Sequence, residues 1–154
     1  MRINLIFKDS EKLESYLNID PRPSSEGVVK CELDNLDPIV DDSEVSELRA
    51  LDAIDFFPPH KILSVITHWK KKIKKGGKLT VGGVDLLSIA RALHQRQITI
   101  TDAISDLYNS PDNTQDVKMC CSTLEDMVNI FQHLGLTVED KTLRDNRYVL
   151  IGVK

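Results

Sequence analysis

Long apolar runs are absent from this sequence of 154 residues, and their absence excludes one large class of protein. The longest runs, such as 53–57 and 61–66, are far shorter than the roughly 20 residues that a membrane-spanning helix needs. The start, MRINLIFKDSEK, lacks the apolar segment of a secretory signal peptide. We therefore expect a soluble, cytoplasmic protein that has no membrane as a partner.

Cysteine is scarce as well, and its placement argues against two kinds of structural site. An odd count, with Cys120 and Cys121 adjacent and Cys31 remote from them, does not make a disulfide framework. The histidines lack the i, i+3 or i, i+4 spacing of helical metal ligands, so no zinc pattern emerges. We expect reduced, partly buried thiols and no metal site.

Linkers, repeats and an excess of positive charge are also missing. The length suits one core, so we expect residues 1–154 to form a single domain. With 20 basic and 24 acidic residues, the formal net charge is −4. Such a protein has no strong overall attraction for nucleic acid, which we do not expect as a partner.

The one local concentration of positive charge is a run of six lysines between Lys70 and Lys78. Two interpretations remain open for it. The run either contacts a nucleic acid or an acidic glycan, or forms a solvated face that complements the negative end of a helix. Motifs with a G-x-S-x-G, P-loop or G-x-G-x-x-G pattern are absent, and the glycine pairs at 76–77 and 82–83 read as structural.

What the sequence does contain is an ordered series of strand and helix patterns. Short apolar runs and their flanking turn residues predict six strands, at 3–7, 15–20, 28–33, 78–81, 136–139 and 148–153. Strands come first, strand and helix then alternate, and a β-pair closes the chain. This order predicts an α/β fold whose sheet is mainly parallel with an antiparallel strand in the C-terminal hairpin.

Capping residues and apolar spacing place the helices. A helix begins near Pro58-Pro59 and continues until Gly76-Gly77. Asp85 is a candidate N-cap for a second helix, and Thr101 for a third that runs through Tyr108. Ser122 and Glu125 fit a capping box for the last helix, and Gly135 is its expected C′ residue.

Several phrases, in this order and spacing, resemble small class I S-adenosylmethionine-dependent methyltransferases of the methyltransferase-11 type. The phrases are INLIF…YLNID, DDSEVSELRALDAIDFFPPHKILSVITHWKKKIKKGGKLTV, VDLLSIARAL and STLEDMVNIFQHLGLTVEDKT…RYVLIGVK. Together they cover almost the whole chain. The resemblance implies a Rossmann-like methyltransferase sheet and S-adenosylmethionine as the cofactor.

The resemblance also implies where the cofactor would lie. In the family, the loop after strand one is rich in glycine because the cofactor lies against its backbone. Here Phe7-Lys8-Asp9-Ser10 occupies that place, with no glycine before Gly27, and Asp9 is assigned to the cofactor site. Side chains in this loop narrow the cradle, which weighs against a working enzyme.

Five other positions match the family's cofactor site. Asp20, at the end of strand two, corresponds to the acid that accepts hydrogen bonds from the ribose diol, although it equally fits an Asp-Pro turn. Glu32 and Leu33 correspond to the family's pair of residues near the adenine. The alternative interpretation is that they only form the end of a strand and contact no ligand. Ala50 and Leu51 end strand four, beside the methyl-donor pocket.

Two acids correspond to the catalytic region. Asp52 stands where the family has a histidine, and Asp55 takes the acid position of the following phrase. Either would guide a hydroxyl or amine acceptor of a small molecule or glycan. The alternative for both acids is a solvated or helix-capping role.

The sequence has scarcely any room for a helix between strands one and two. Because that helix covers one face of the sheet in the family, we expect exposed apolar surface there and a homodimer or protein partner that covers it. Two functions follow: a methyltransferase, or a degenerate, non-catalytic methyltransferase fold that acts as a binding or assembly module.

Overall fold

A seven-stranded sheet with the order β3-β2-β1-β4-β5-β7-β6 organises the protein. The computed structural model describes residues 1–7, 12–23, 25–109 and 117–154. The strands are β1 (Arg2–Leu5), β2 (Leu17–Asp20), β3 (Val29–Lys30), β4 (Val45–Leu51), β5 (Ile73–Val84), β6 (Thr137–Arg144) and β7 (Arg147–Val153). The first five strands run parallel, and β7 pairs antiparallel with both β5 and β6. The predicted fold class is therefore confirmed.

Among the described residues, four α-helices connect or follow these strands: α1 (Ile62–Lys72), α2 (Leu86–His94), α3 (Ile100–Tyr108) and α4 (Leu124–His133). Two short 3-10 turns, Ile54–Phe56 and Pro59–Lys61, lie between β4 and α1. In the part of the chain that the structure describes, no helix is long and apolar enough to cross a membrane.

The main core lies on one face of the sheet. The strand registers align Ile3 with Leu48 and Leu48 with Leu79, and all three side chains are fully buried. Trp69 of α1 and Phe131 of α4, both with no exposed surface, belong to the same apolar cluster. Because laterally aligned side chains share a face, α1 and α4 cover this apolar face.

The opposite face of the same strands is polar, which corrects the expectation of exposed apolar surface. Most residues that alternate onto it from the first, second, fourth and fifth strands are polar, among them Arg2, Asn4, Asn18, Glu47, Arg49, Lys78 and Thr80, whereas Leu51 and Val84 are apolar. Apolar side chains reach this face mainly on β7. A solvated polar face needs no apolar cover, so the physical reason for expecting a partner there is removed.

Asn18 ties the connection between β1 and β2 to this polar face. Its Oδ1 accepts hydrogen bonds from the side chain of Asn4 (2.9 Å) and the backbone of Leu13 (3.0 Å), while its Nδ2 donates to the carbonyls of Leu13 and Tyr16. The described part of this connection contains no helix. The side-chain hydrogen bonds of Asn18 therefore hold the described part of this connection against the sheet.

The predicted helix boundaries needed three corrections. Helix α1 ends at Lys72 because Ile73 pairs with Val45 and begins β5, so the pattern up to Gly76 combines a helix and a strand. Helix α3 is capped by Thr99, not Thr101, through a reciprocal capping box. Helix α4 is capped by Thr123, since Ser122 bonds instead to the Tyr148 hydroxyl, at 2.9 Å.

The acidic stretch at 34–47 is held to the core rather than left as a free polar connection. Leu36 and Val40 are buried in the apolar cluster. The Lys72 ammonium, on a side chain only 3% exposed, pairs with Asp37 (2.5 Å) and Asp42 (2.9 Å). Hydrogen bonds from Lys72 hold the pKa of both carboxyl groups below the usual range.

Asp85 caps two helices with one carboxylate. Its Oδ2 accepts from the Ser88 backbone at the start of α2 (2.8 Å), and its Oδ1 accepts from the Leu124 backbone at the start of α4 (2.8 Å). The predicted N-cap of α2 is confirmed, and the second cap is an addition. Both helix N-termini are therefore anchored to the end of β5.

We expect Asp85→Ala to destabilise the protein by about 2–4 kcal/mol, since two caps of roughly 1 kcal/mol each are lost and buried donors remain unpaired. Thr123→Ala, which removes the side-chain cap of α4 alone, is the matched control and should cost about 1 kcal/mol. Urea unfolding of the two variants checks this difference. Equal losses would contradict a double cap.

Candidate functional site

A cavity of about 370 Å³ lies at the carboxyl ends of the parallel strands. Its lining residues come from the segments that follow β1, β2, β3 and β4, and from the segment before α4: Phe7, Pro21, Arg22, Glu32, Leu33, Phe56, Phe57, Val117 and Met119. The chain order of the strands reverses between β1 and β4. Open α/β sheets bind ligands in the crevice at such a reversal, and this volume falls within the range of small-molecule sites.

Two stacked aromatic rings form one wall of this strand-end cavity. The Phe7 ring, just after β1, stacks on the Phe56 ring, after β4, with centroids 3.8 Å apart and planes 15° from parallel. The Arg22 guanidinium lies 4.9 Å from the Phe7 centroid. The aromatic pair therefore spans the gap between β1 and β4.

Glu32 and Leu33 form another wall, and α1 holds their loop in place. The Leu33 carbonyl accepts a hydrogen bond from Trp69 Nε1 at 2.7 Å. His68 Nε2 accepts one from the Leu36 backbone at 2.9 Å, which requires that nitrogen to be unprotonated. Burial lowers the pKa of His68, which favours this neutral form. The two predicted adenine-site residues are thus brought to the cavity.

Asp20 is placed less favourably for ligand binding than the sequence suggests. Only 4% of this residue is exposed, and its Oδ1 accepts the Arg22 backbone N–H at 2.7 Å. This hydrogen bond is typical of the Asx turn, the alternative role raised by the sequence. Asp20 is not among the residues that line the cavity, although its neighbours Pro21 and Arg22 are.

Asp55 is buried beneath the cavity. It is 1% exposed, and its Oδ2 has no hydrogen-bond partner among the described residues. The Lys118 ammonium lies 3.6 Å from that oxygen, which makes an ion pair but is too long for a hydrogen bond. Burial raises the pKa of Asp55 to about 6, although Lys118 opposes this shift. The carboxyl group therefore titrates near neutral pH.

Gly83 makes room for this carboxyl group. A Cβ at position 83 would lie 3.0 Å from Asp55 Oδ1 and 3.1 Å from Oδ2, closer than side chains normally approach. The Gly82-Gly83 pair, which the sequence marked as structural, thus has a specific function at its second member. It allows a buried acid to lie against β5.

Asp52 lies apart from the strand-end cavity. Its backbone is in the left-handed region (φ 61°), and its carboxylate pairs with Arg147. It lines a second concavity of about 250 Å³, together with Asn4, Leu5, Ile6, Leu13, Arg49 and Leu51. The second concavity therefore does not bring Asp55 to Asp52, and neither acid is among the described residues that line the strand-end cavity.

The remaining predicted site residues are dispersed. Ala50 is fully buried in the core, and Leu51 lines the second concavity. Asp9 lies outside the described residues. The structure thus brings Glu32 and Leu33 to the strand-end cavity and leaves the other described candidates around or beneath it.

Sequence reasoning missed Arg22, Phe57, Val117 and Met119 as cavity residues, and it missed the burial of Lys118. Pro21 and Pro58 are signals for turns, and both lie near the cavity. Nothing in the sequence predicted that Lys118 is only 8% exposed. The isolated position of Lys118 in a polar stretch is typical of a surface residue.

The lysine run is largely engaged in contacts within the protein. Besides Lys72, Lys70 donates to the Leu134 carbonyl and Lys78 pairs with Glu139 at 2.6 Å. Lys71, Lys74 and Lys75 are exposed. Exposure of these three cations favours the solvated-face interpretation over a built polyanion site.

The cysteines and metal-ligating side chains form no further site in the described residues. Cys31, Cys120 and Cys121 are free thiols of intermediate burial, and burial raises the pKa of each. Protonated thiols are poor metal ligands and nucleophiles. Within the same ranges, no group of three or more histidine, cysteine or acidic residues has metal-binding geometry.

Several solved structures with this fold are named as methyltransferases, among them S-adenosylmethionine-dependent ones. An enzyme from Archaeoglobus fulgidus is 12% identical, with a TM-score of 0.62 over 89% of this chain and 75% of its own. A Burkholderia thailandensis N1-methyltransferase with bound S-adenosylhomocysteine has 12% identity and a TM-score of 0.57 over 89% and 60%. A putative methyltransferase of Haloferax volcanii, in complex with the activator Trm112, has 10% identity and a TM-score of 0.60 over 99% and 83%. The chain has the class I methyltransferase fold.

Sequence comparison gives a different and narrower result. No family model matches the chain. A 115-residue segment is 30% identical to part of the glycine–tRNA ligase beta subunit of Ralstonia nicotianae, covering 72% of this chain and 16% of that protein. Since the chain spans so small a share of that relative, the match does not carry the ligase activity over.

Asp55 should make the stability of the protein depend on pH. A carboxyl whose folded-state pKa is raised from 3.8 to about 6 contributes stability that is complete below pH 4 and is lost as pH rises through 6. The loss should be on the order of 3 kcal/mol. Urea unfolding between pH 4 and 8 should show this decline in the wild type and not in Asp55→Asn, and parallel profiles would contradict the assignment.

Proposed function

We propose that the protein is a methyltransferase-fold module that binds a nucleoside-type ligand in the strand-end cavity and does not itself transfer a methyl group. One observation carries the proposal. The cavity is lined by Glu32 and Leu33 on one side and by the stacked Phe7 and Phe56 on the other, with neither candidate catalytic acid among its lining residues.

The cavity suits a nucleoside better than a complete methyl-donor site. Glu32 offers a carboxylate to a ribose hydroxyl or a base amino group, and aromatic and aliphatic walls suit a planar base. By the resemblance, Phe7 begins the segment that corresponds to the family's glycine-rich loop, and its ring, stacked on Phe56, would take space that the methionine half of the cofactor needs. The nucleoside half of S-adenosylmethionine thus fits this lining better than its methionine half.

Within this proposal, Asp20 contributes less to the site than Glu32. The Asp20 carboxylate already accepts the Arg22 backbone N–H and is almost fully buried, so it shapes the turn that brings Arg22 to the cavity. Asp9, Ala50 and Leu51 keep the roles implied by the resemblance as unproven assignments.

A methyltransferase activity is the second candidate. The position of the cavity at the strand reversal favours it, and a neighbour with this fold has S-adenosylhomocysteine bound. The acceptor would then be an oxygen or nitrogen of a small molecule or glycan, guided by Asp52 or Asp55. Both acids would have to reach the cavity after a rearrangement, since Asp52 is paired with Arg147 and Asp55 is buried.

A binding or assembly module acts through its partners, so we retain a second copy or another protein as a partner. A neighbour with this fold forms a complex with an activator protein. Light scattering over a wide range of concentrations tests self-association, and a monomer throughout would exclude the homo-oligomer. Such a result would leave the hetero-complex to be tested by co-purification of the full chain.

Calorimetric titration with S-adenosylhomocysteine tests the ligand proposal. We expect binding, and we expect Glu32→Gln to weaken it about tenfold, because a charge-assisted hydrogen bond of roughly 1.5–3 kcal/mol is replaced by a neutral one. Glu125→Gln is the matched control, since Glu125 lines a separate cavity beside α4. It should leave affinity unchanged.

Two outcomes would contradict the proposed function. An absence of binding by the wild type at millimolar S-adenosylhomocysteine would exclude the cavity as a site for this class of ligand. Formation of S-adenosylhomocysteine from S-adenosylmethionine with any hydroxyl or amine acceptor, abolished by Asp52→Asn or Asp55→Asn, would establish the methyltransferase instead.

A further inference from the structure

The Asp55–Lys118 pair joins three parts of the structure next to the strand-end cavity. Asp55 belongs to the 3-10 turn after β4, and Lys118 to the segment 117–121 before α4. The Lys118 ammonium also donates to the Asp106 carbonyl, near the end of α3, at 3.0 Å. One buried lysine thus connects the turn, the segment and a helix C-terminus, whose partial negative charge favours a cation.

The backbone reinforces the same junction. The Asp55 carbonyl accepts the N–H groups of Met119 (2.8 Å) and Cys120 (3.1 Å). Sequence neighbours of both members of the ion pair line the cavity: Phe56 and Phe57 follow Asp55, and Val117 and Met119 flank Lys118. Asp55 and Lys118 therefore lie behind the wall that these four residues form.

We propose that Lys118 is a positioning residue for the cavity: through Asp55 it holds the segment 117–121 as a wall that a bound ligand further stabilises. The ligand part of this inference rests on the proposed function, whereas the holding of the wall does not. Lys118 is 8% exposed and has no place in the cavity lining, so its effect on a ligand is exerted through Val117 and Met119.

The charge of Asp55 makes the wall sensitive to pH. The groups that act on its carboxyl are Asp52 at the end of β4, Lys118, Cys120 and Cys121 in the segment, and Tyr148 on β7. Opening the segment would return water to the carboxyl and lower its pKa from about 6 towards 3.8. Ionisation therefore favours the open wall, and protonation favours the closed one.

Hydrogen exchange of the Met119 and Cys120 amides measures opening of the wall directly. At pH 7.5, Lys118→Met leaves the buried carboxylate without its cation, and we expect both amides to exchange at least ~10-fold faster. The effect should shrink at pH 5, where Asp55 is protonated. Lys118→Arg should restore most of the protection, and Lys74→Met, at an exposed lysine, is the matched control.

Asp55→Asn supplies the pH test. After correction for intrinsic exchange rates, wild-type protection of these two amides should increase as pH falls through 6, and the Asn variant should show no such change. Unchanged exchange in Lys118→Met at pH 7.5 would overturn the positioning role. So would equal acceleration at the Leu134 amide in α4, which would show general destabilisation instead.

S-adenosylhomocysteine is the probe for the ligand part. Added at about ten times its dissociation constant, it should slow exchange of the Met119 and Cys120 amides roughly tenfold. A ligand that binds only when the wall is closed lowers the population of the open state by about the ratio of ligand concentration to dissociation constant. Binding without this protection overturns the ligand coupling. An absence of binding refutes the proposed function, and the Lys118 variants then still decide whether the lysine holds the wall.

Discussion

The structure depends on burying apolar side chains on one face of its sheet. Ile3, Leu48 and Leu79 align across three strands, and Trp69 and Phe131 cover them from α1 and α4. The opposite face carries aligned polar residues such as Asn4 and Arg49, so most of the buried apolar side chains belong to this one layer, and a smaller cluster forms where α2 and α3 pack on Val84. A sheet covered on one side remains stable because its second side is compatible with water.

This one-sided core also determines what surrounds the cavity. Without a described helix between β1 and β2, the segment after β1 is free to present Phe7 to the ring of Phe56. The loop after β3 is held instead from the covered face, where Trp69 and His68 of α1 bond to its backbone. One wall of the cavity is thus anchored by the core, and the other by contact between two aromatic side chains.

The order of strands and helices could be predicted from the sequence because each element depends mainly on the apolar spacing and turn residues of its own segment. Asp85 and Gly135 were identified as helix ends, since a cap depends on neighbouring residues alone. Thr99 was missed because Thr101, two residues later, satisfies the same local rule. Ile73 was assigned to α1 because the side chain continues the helical spacing, while its pairing with Val45 is a long-range contact.

The site was less predictable because it depends on burial of charge. Glu32 and Leu33 line the cavity because the segment after β3 places them there, and their role near an adenine stays a prediction. Lys72 and Lys118 read as surface residues in a polar context, and only the assembled fold shows each of them buried against acids. Asp52 follows β4 with a left-handed backbone, which no local sequence pattern predicts. Its carboxylate pairs with Arg147, at the start of β7.

The contact between Gly83 and Asp55 restricts how this sequence can vary. Because any side chain at position 83 would press on the carboxyl group, the identities at positions 55 and 83 are not independent. A chain that retained this fold with alanine or serine at 83 would need a smaller or differently oriented residue at 55. A lysine at 118 would then lose its buried counterion, so three positions far apart in the sequence would change as a set.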